Sequence, residues 1–228
     1  MSGDPVILAL DTATTRIVVA LGRTDGTMLG EASWPAGYRH GETLLPAIER
    51  LLDEHRVDRS RIAAIVVGTG PGAFTGLRVG IATAKGLAHG LGRPIVGIAT
   101  GAALLAAARR TGAVDGDAGA LLLPAGPSER LLVRAGAPAE LLPTGIDPAL
   151  APGAWLVAVD LAERAPADAV EAGEAARAGL AAELLAMGAE RLARGDVDDL
   201  ATLVPEYVTL PRGVRAVVGE VEWSRDRP

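Results

Sequence analysis

Two stretches of this chain carry residue types that can handle an anion. Residues 68–80 read Gly-Thr-Gly-Pro-Gly-Ala-Phe-Thr-Gly-Leu-Arg-Val-Gly and follow the apolar run 62–67. An apolar β-branched run, a Gly/Pro-rich bend and then helical spacing predict strand, loop, helix. Backbone N–H groups of such a loop point at whatever lies over the helix N-terminus, so phosphate is the first ligand class to consider. The second stretch, Asp11-Thr12-Ala13-Thr14-Thr15, sets small hydroxyls beside one carboxylate at the end of the apolar run 6–10. It can bond a phosphate and position a metal-bound water, or simply close its own side-chain turn. Asp11, Thr12, Thr14, Gly70 and Gly72 are therefore the candidate nucleotide contacts. The plain alternative is that the glycines only let helix and strand pack closely, and both readings stay open here.

Two common phosphate motifs are set aside. Gly68, Gly70 and Ala73 formally fit a dinucleotide fingerprint, but Pro71 stands between the glycines, and that motif belongs in the first strand–helix turn of its unit with an acidic residue about 20 positions on. A Walker loop needs Gly-Lys-Ser/Thr, whereas Lys85, the only lysine of the chain, falls inside the helix.

These stretches need a scaffold, and 228 residues supply one large domain or two small ones. A net charge of −6 argues against a nucleic-acid binder acting alone, so any nucleic-acid role would run through a partner. With no cysteine there is no disulfide, thiolate or Cys-ligated metal. His40 and His55 have no second imidazole at ligand spacing. No basic leader and no apolar run of membrane length are present, so the expected location is the cytoplasm, away from membranes.

Strands are expected at 6–10, 16–21 and 28–34, the last two joined by the Thr-Asp-Gly turn at 24–26. An amphipathic helix over 42–55 follows, then the strand 62–67, a helix over 76–91, a strand at 94–98 and a helix over 100–110. This is the order of an actin/hexokinase-like (ASKHA) half-domain. The fold class is α/β, with two small lobes that each hold a mixed sheet flanked by helices: residues 1–110, and a divergent lobe with its tail over 111–228. In the second lobe strands are expected at 120–123, 130–134 and 155–159, with a helix over about 175–194. On a helical wheel the apolar and small positions of 76–91 cover about 250°, more than one sheet face needs. The surplus predicts a cover from outside, with Leu45, Ile48, Leu52, Leu77, Ile81 and Ala88 as the partner interface.

Ala-Leu-Asp-Thr-Ala-Thr at 9–14, His-Gly-Glu-Thr-Leu-Leu-Pro at 40–46 and the 68–80 string resemble the TsaB (YeaZ) family, and the likeness continues through Ile81-Ala82 and 85–88. It covers the first hundred residues. The resemblance implies a non-catalytic subunit that binds and activates a TsaD-like threonylcarbamoyltransferase in tRNA N6-threonylcarbamoyladenosine (t6A) modification, joined by a TsaE-like ATPase. It implies no catalytic residue and no metal: where TsaD-like enzymes carry their His-x-x-x-His metal pair, this chain reads 97–102 as Gly-Ile-Ala-Thr-Gly-Ala. No cofactor is expected on the chain alone. ATP or ADP at the junction with the partner, and a homodimer when the partner is absent, remain open. The chain departs from the family at 123–132, where the usual Asp and Tyr are missing. The alternative function is a weak ATPase or small-molecule kinase of the same superfold. Against it, the second lobe lacks an Asp-x-Gly-Gly-Gly phosphate loop, and clamping a triphosphate takes both lobes.

Overall fold

The computed structural model describes residues 3–36 and 40–207, with the side chain of His40 outside that description. The chain opens with β1 (Val6–Asp11), β2 (Arg16–Arg23) and β3 (Met28–Pro35), an antiparallel meander. Then come α1 (His40–Glu54), β4 (Ile62–Gly70), α2 (Phe74–Leu91), β5 (Ile95–Ala99) and α3 (Thr100–Arg110). β4 lies parallel to β1, and β5 parallel to β4, giving a five-stranded mixed sheet in the order β3-β2-β1-β4-β5. That order and the crossover helices give the actin/hexokinase-like half-domain.

The second sheet is built from β6 (Gly119–Pro124), β7 (Glu129–Arg134), β8 (Glu140–Pro143) and β9 (Trp155–Ala158), in the order β8-β7-β6-β9. β6 and β7 are antiparallel, β7 and β8 antiparallel, and β6 and β9 parallel. This repeats the β3-β2-β1-β4 pattern of the first sheet, so the β1–β2 and β6–β7 turns are topological counterparts. A long helix, α4 (Ala167–Ala193), closes the described fold.

Alternation along the strands divides the first sheet into two buried faces. Val6, Leu8, Leu10, Ile17, Val19 and Leu21 pack under α1 and α2 with Leu44, Ile48, Ile81 and Ala88. Ile7, Ala9, Val18, Val66 and Ile98 face the other way, onto α3 and α4, whose far sides meet Leu121, Leu123 and Val157 of the second sheet. The layers therefore run α1/α2, first sheet, α3/α4, second sheet. A smaller cluster including Leu122, Leu132 and Leu161 covers the outer face of the second sheet.

Helix α4 is pressed between the sheets, and its interior glycines mark the contacts. A Cβ at Gly173 would collide with the Ala158 carbonyl of β9, and one at Gly188 with the side chain of Val66 in β4. Arg130, 2 % exposed, staples the second lobe: Nη1 donates to the Arg164 carbonyl at 2.9 Å, and Nη2 reaches the carbonyls of Pro143 and Ile146. Among the described residues no helix is long and apolar enough to cross a membrane.

The elements expected for the first hundred residues occur in the expected order. In the second lobe β8 was not expected, and α4 begins at Ala167 rather than near 175. A substitution pair tests the packing. Gly173→Ala should destabilise the chain by about 1–3 kcal/mol through overpacking. Gly86→Ala, on an α2 position where a Cβ meets open space, should stabilise it by up to about 1 kcal/mol. Urea unfolding midpoints moving in the same direction would contradict the assignment of tight and open glycines.

Candidate functional site

The β1–β2 turn, residues 11–15, sits directly against the 68–80 segment. The four glycines spaced every fourth residue create the room. A Cβ at Gly68 would collide with the Asp11 carboxylate, one at Gly72 with the Ala13 carbonyl, one at Gly76 with the Thr12 carbonyl, and one at Gly80 with the Thr12 hydroxyl. Polar bonds fasten the two segments together. Thr12 Oγ1 donates to the Gly76 carbonyl at 2.7 Å, and the Ala73 N–H donates to the Ala13 carbonyl at 2.7 Å. Gly70 adopts φ of +103°, a left-handed conformation suited to glycine. Its N–H donates to Thr100 Oγ1 at 3.0 Å. The glycine string thus serves close packing, and at least two of its N–H groups are committed inside the chain.

Asp11 is fully buried. Its Oδ1 accepts from the Ala13 N–H at 2.8 Å, and its Oδ2 accepts from the Thr100 hydroxyl at 2.6 Å. Thr100 opens α3, in the stretch where the sequence shows no imidazole. Burial pushes the Asp11 carboxyl up from its ordinary 3.8 to about 6, opposed by the hydrogen bonds from Thr100 and Ala13. The group is a sealed, internally satisfied carboxylate.

Above the turn lies a cleft of about 380 Å³ between the lobes, lined by Ala13, Thr14, Thr15, Gly72, Pro124, Gly126 and Asp160 among others. Of the expected nucleotide contacts, Thr14 and Gly72 line it; Asp11, Thr12 and Gly70 do not. Thr14 closes its own turn, its hydroxyl donating to the Arg16 carbonyl at 3.0 Å and accepting from the Arg16 N–H at 3.2 Å. Among the described residues no Lys or Arg lines the cleft, and Asp160 is the one charged side chain that does. The divergent 123–132 segment supplies Pro124 and Gly126, and Arg164 Nη1 fixes this β6–β7 turn by donating to the Gly126 carbonyl at 2.6 Å. Among the described residues no group of three or more His, Cys, Asp or Glu is placed to hold a metal. His55 lies against Gly30, where an added Cβ would collide with its ring.

Residues 196–207 return across the edge of the first sheet. The Asp198 N–H donates to the Ile95 carbonyl at 2.9 Å, and its Oδ2 accepts from the Gly97 N–H at 2.7 Å. The Glu206 N–H donates to the Thr69 carbonyl at 2.8 Å, beside the glycine loop. There Tyr207 meets Phe74 with ring centroids 5.1 Å apart, Arg78 lies 3.9 Å over the Phe74 ring, and Arg78 Nε donates to Tyr207 Oη at 2.9 Å. The rest of the tail, with Pro211 and Arg212, lies outside the described residues.

Comparison with known proteins meets this geometry. The solved structure of YeaZ from Pseudomonas aeruginosa superposes with a TM-score of 0.70 at 28 % identity, covering 90 % of this chain and all of that one. The tRNA threonylcarbamoyladenosine biosynthesis protein TsaB of Escherichia coli is 39 % identical over 94 residues, 41 % of this chain and 40 % of the relative. TsaB of Haemophilus influenzae is 38 % identical over 103 residues, 45 % of this chain and 42 % of the relative. Residues 35–208, well over half of the chain, match the family model for TsaD, tRNA N6-adenosine threonylcarbamoyltransferase. The chain belongs to this family, in its TsaB/YeaZ group. The sequence matches span less than half the length of these curated TsaB relatives.

For a TsaB-group chain the expected partner interface needs correction. Leu77 is 1 % exposed, Ala88 1 %, Ile48 3 %, Ile81 4 % and Leu52 8 %, all inside the core beneath α1 and α2. Such side chains offer no surface to another molecule. Only Leu45, 48 % exposed, stands outside. The outward side of α2 is instead Thr75, Arg78, Ala82, Gly86, His89 and Gly90. Counting alanine and glycine as apolar had widened the wheel.

Sequence reasoning also missed Asp160 and Arg177. Asp160 follows β9 as Asp11 ends β1, an apolar run closing on a carboxylate, and that likeness was the available signal. Arg177 lies mid-helix on α4 with no motif around it.

The Asp11 shift predicts a pH dependence. A carboxyl whose folded pKa lies above its unfolded value favours the fold fully below the unfolded pKa, and that contribution is lost as pH rises through about 6. Between pH 3.8 and pH 7 the wild type should lose about 2–3 kcal/mol relative to Asp11→Asn, most of the equivalent of the shift. Parallel urea titrations would show it; a wild-type-minus-variant difference that stays flat with pH would contradict a sealed Asp11.

Proposed function

We propose that this chain is a non-catalytic, cytoplasmic subunit of the t6A-forming machinery, binding and activating a TsaD-like threonylcarbamoyltransferase. The curated TsaB relatives carry the pathway, and the enclosure of Asp11 carries the non-catalytic reading. In a phosphotransfer enzyme of this superfold the β1–β2 turn would have to reach the nucleotide, and charge on the phosphates would need cationic or backbone donors. Here both Asp11 oxygens are used inside the protein and, among the described residues, no cation lines the cleft. A weak ATPase or kinase is the reading this disfavours.

The work then falls to the outer surface. On α2, Ala82, Gly86 and Gly90 are exposed with open space where a Cβ would stand at both glycines, so the backbone of another helix can approach closely. Leu45 on α1 adds an exposed apolar side chain to the same layer. The partner on this face is the TsaD-like subunit, with a TsaE-like ATPase joining the pair, nucleotide held at their junction, and tRNA engaged through them. A second copy of the chain takes the face when the partner is absent.

The test is co-purification. Ala82→Arg combined with Leu45→Arg should leave the circular dichroism spectrum unchanged, lose the TsaD-like subunit, and bring t6A formation in a reconstituted reaction down to the level without this chain. Leu77→Arg, by contrast, should fail to fold, because it buries an unpaired charge. A folded double variant that still pairs and stimulates would refute the assignment of this face.

A further inference from the structure

Asp160 takes φ of +60°, a left-handed conformation that a non-glycine residue adopts at a cost of about 1–2 kcal/mol. Its side chain is only 3 % exposed, at the wall of the interlobe cleft. Three donors converge on its carboxylate. Oδ2 accepts from the Thr15 N–H at 2.7 Å, and Oδ1 accepts from the Thr15 hydroxyl at 2.5 Å and pairs with Arg177 Nη1 at 3.1 Å. Arg177 is 12 % exposed, its Nε is buried without a partner, and Glu174 holds its Nη2. Besides Asp160, the guanidinium thus keeps a contact to Glu174 on its own helix and a long one from Nη1 to Thr15 Oγ1 at 3.5 Å.

A backbone N–H, a hydroxyl and a guanidinium aimed at one point make a donor set for a tetrahedral oxyanion. In this molecule a carboxylate from the other lobe stands at that point, 145 residues away in sequence. Thr15 belongs to the turn of the first lobe and Asp160 to the loop after β9. The contact therefore ties the lobes together across the mouth of the cleft. The geometry points to Asp160 as an internal anion that occupies a phosphate-group site formed by Thr15 and Arg177 and latches the two lobes, so that the site admits an oxyanion only when Asp160 leaves it. Neither the family role nor the outer face of α1 and α2 enters this inference.

The left-handed backbone makes the test clean, because glycine fits φ of +60° without strain. In Asp160→Gly the Thr15 amide should exchange with solvent at least about tenfold faster than in the wild type, the mark of a lost closed-state contact. Inorganic phosphate followed by calorimetry should bind this variant at least about tenfold more tightly than it binds the wild type. Phosphate should restore Thr15 protection, and adding Arg177→Met should abolish both effects. ADP is a second probe: binding equal to phosphate assigns the site to the phosphate group alone, and tighter binding assigns it to a nucleotide phosphate. Asp160→Asn, which removes the charge and keeps one acceptor, reads the same comparison should the glycine variant not fold. The inference is overturned by equal phosphate affinity in the wild type and the folded variant, by unchanged Thr15 protection, or by binding that survives Arg177→Met.

Discussion

The structure turns on the seating of the β1–β2 turn in a groove made by absent side chains. Gly68, Gly72, Gly76 and Gly80 each remove a Cβ that would strike Asp11, Thr12 or Ala13. Any of the four replaced by a larger residue would lift α2 off β1 or expel the turn, since a packed interior has no slack for such atoms. The seating ties α2, β4 and α3 together through Thr12, Asp11 and Thr100. It also removes from solvent the one carboxylate that phosphate chemistry on this superfold would use. The same contacts that stabilise the half-domain therefore keep the Asp11 carboxylate out of the cleft.

Helix α4 does for the whole molecule what the glycine string does for one lobe. It packs on β9 through Gly173 and on β4 through Gly188, and with α3 fills the space between the sheets. The lobes share one continuous apolar layer, and Arg177, carried by α4, pairs with Asp160, which lines the cleft. A body closed in this way is suited to present a fixed surface, which is the role proposed for the outward side of α1 and α2.

Much of the first lobe was legible because its strands read as short apolar, β-branched runs and its turns carry Gly, Pro or Asp signals. The glycine string was legible as a bend, but its purpose was not: phosphate cradle and close packing demand the same residue, and only the atoms opposite each Cβ decide. The interface residues were misplaced for a related reason. A helical wheel separates apolar from polar, yet cannot tell a side chain that faces its own sheet, such as Leu77 or Ile81, from one that faces a partner. In the second lobe β8 is four residues long, largely exposed and ends in a proline, so it carries little periodicity. The start of α4 was hidden because Gly173 and Gly179 interrupt its pattern, and those glycines are explained only by β9 and α3 lying against them.

The proposed work of the chain lies on an outer face, and phosphoryl transfer has no part in it. The most direct measurement is calorimetry and phosphate release with magnesium–ATP on the purified chain alone. The expected result is no saturable heat and no turnover, with Asp11→Asn indistinguishable from the wild type. Saturable binding accompanied by hydrolysis that Asp11→Ala abolishes would contradict it, and would return Asp11 to the role of a working catalytic group.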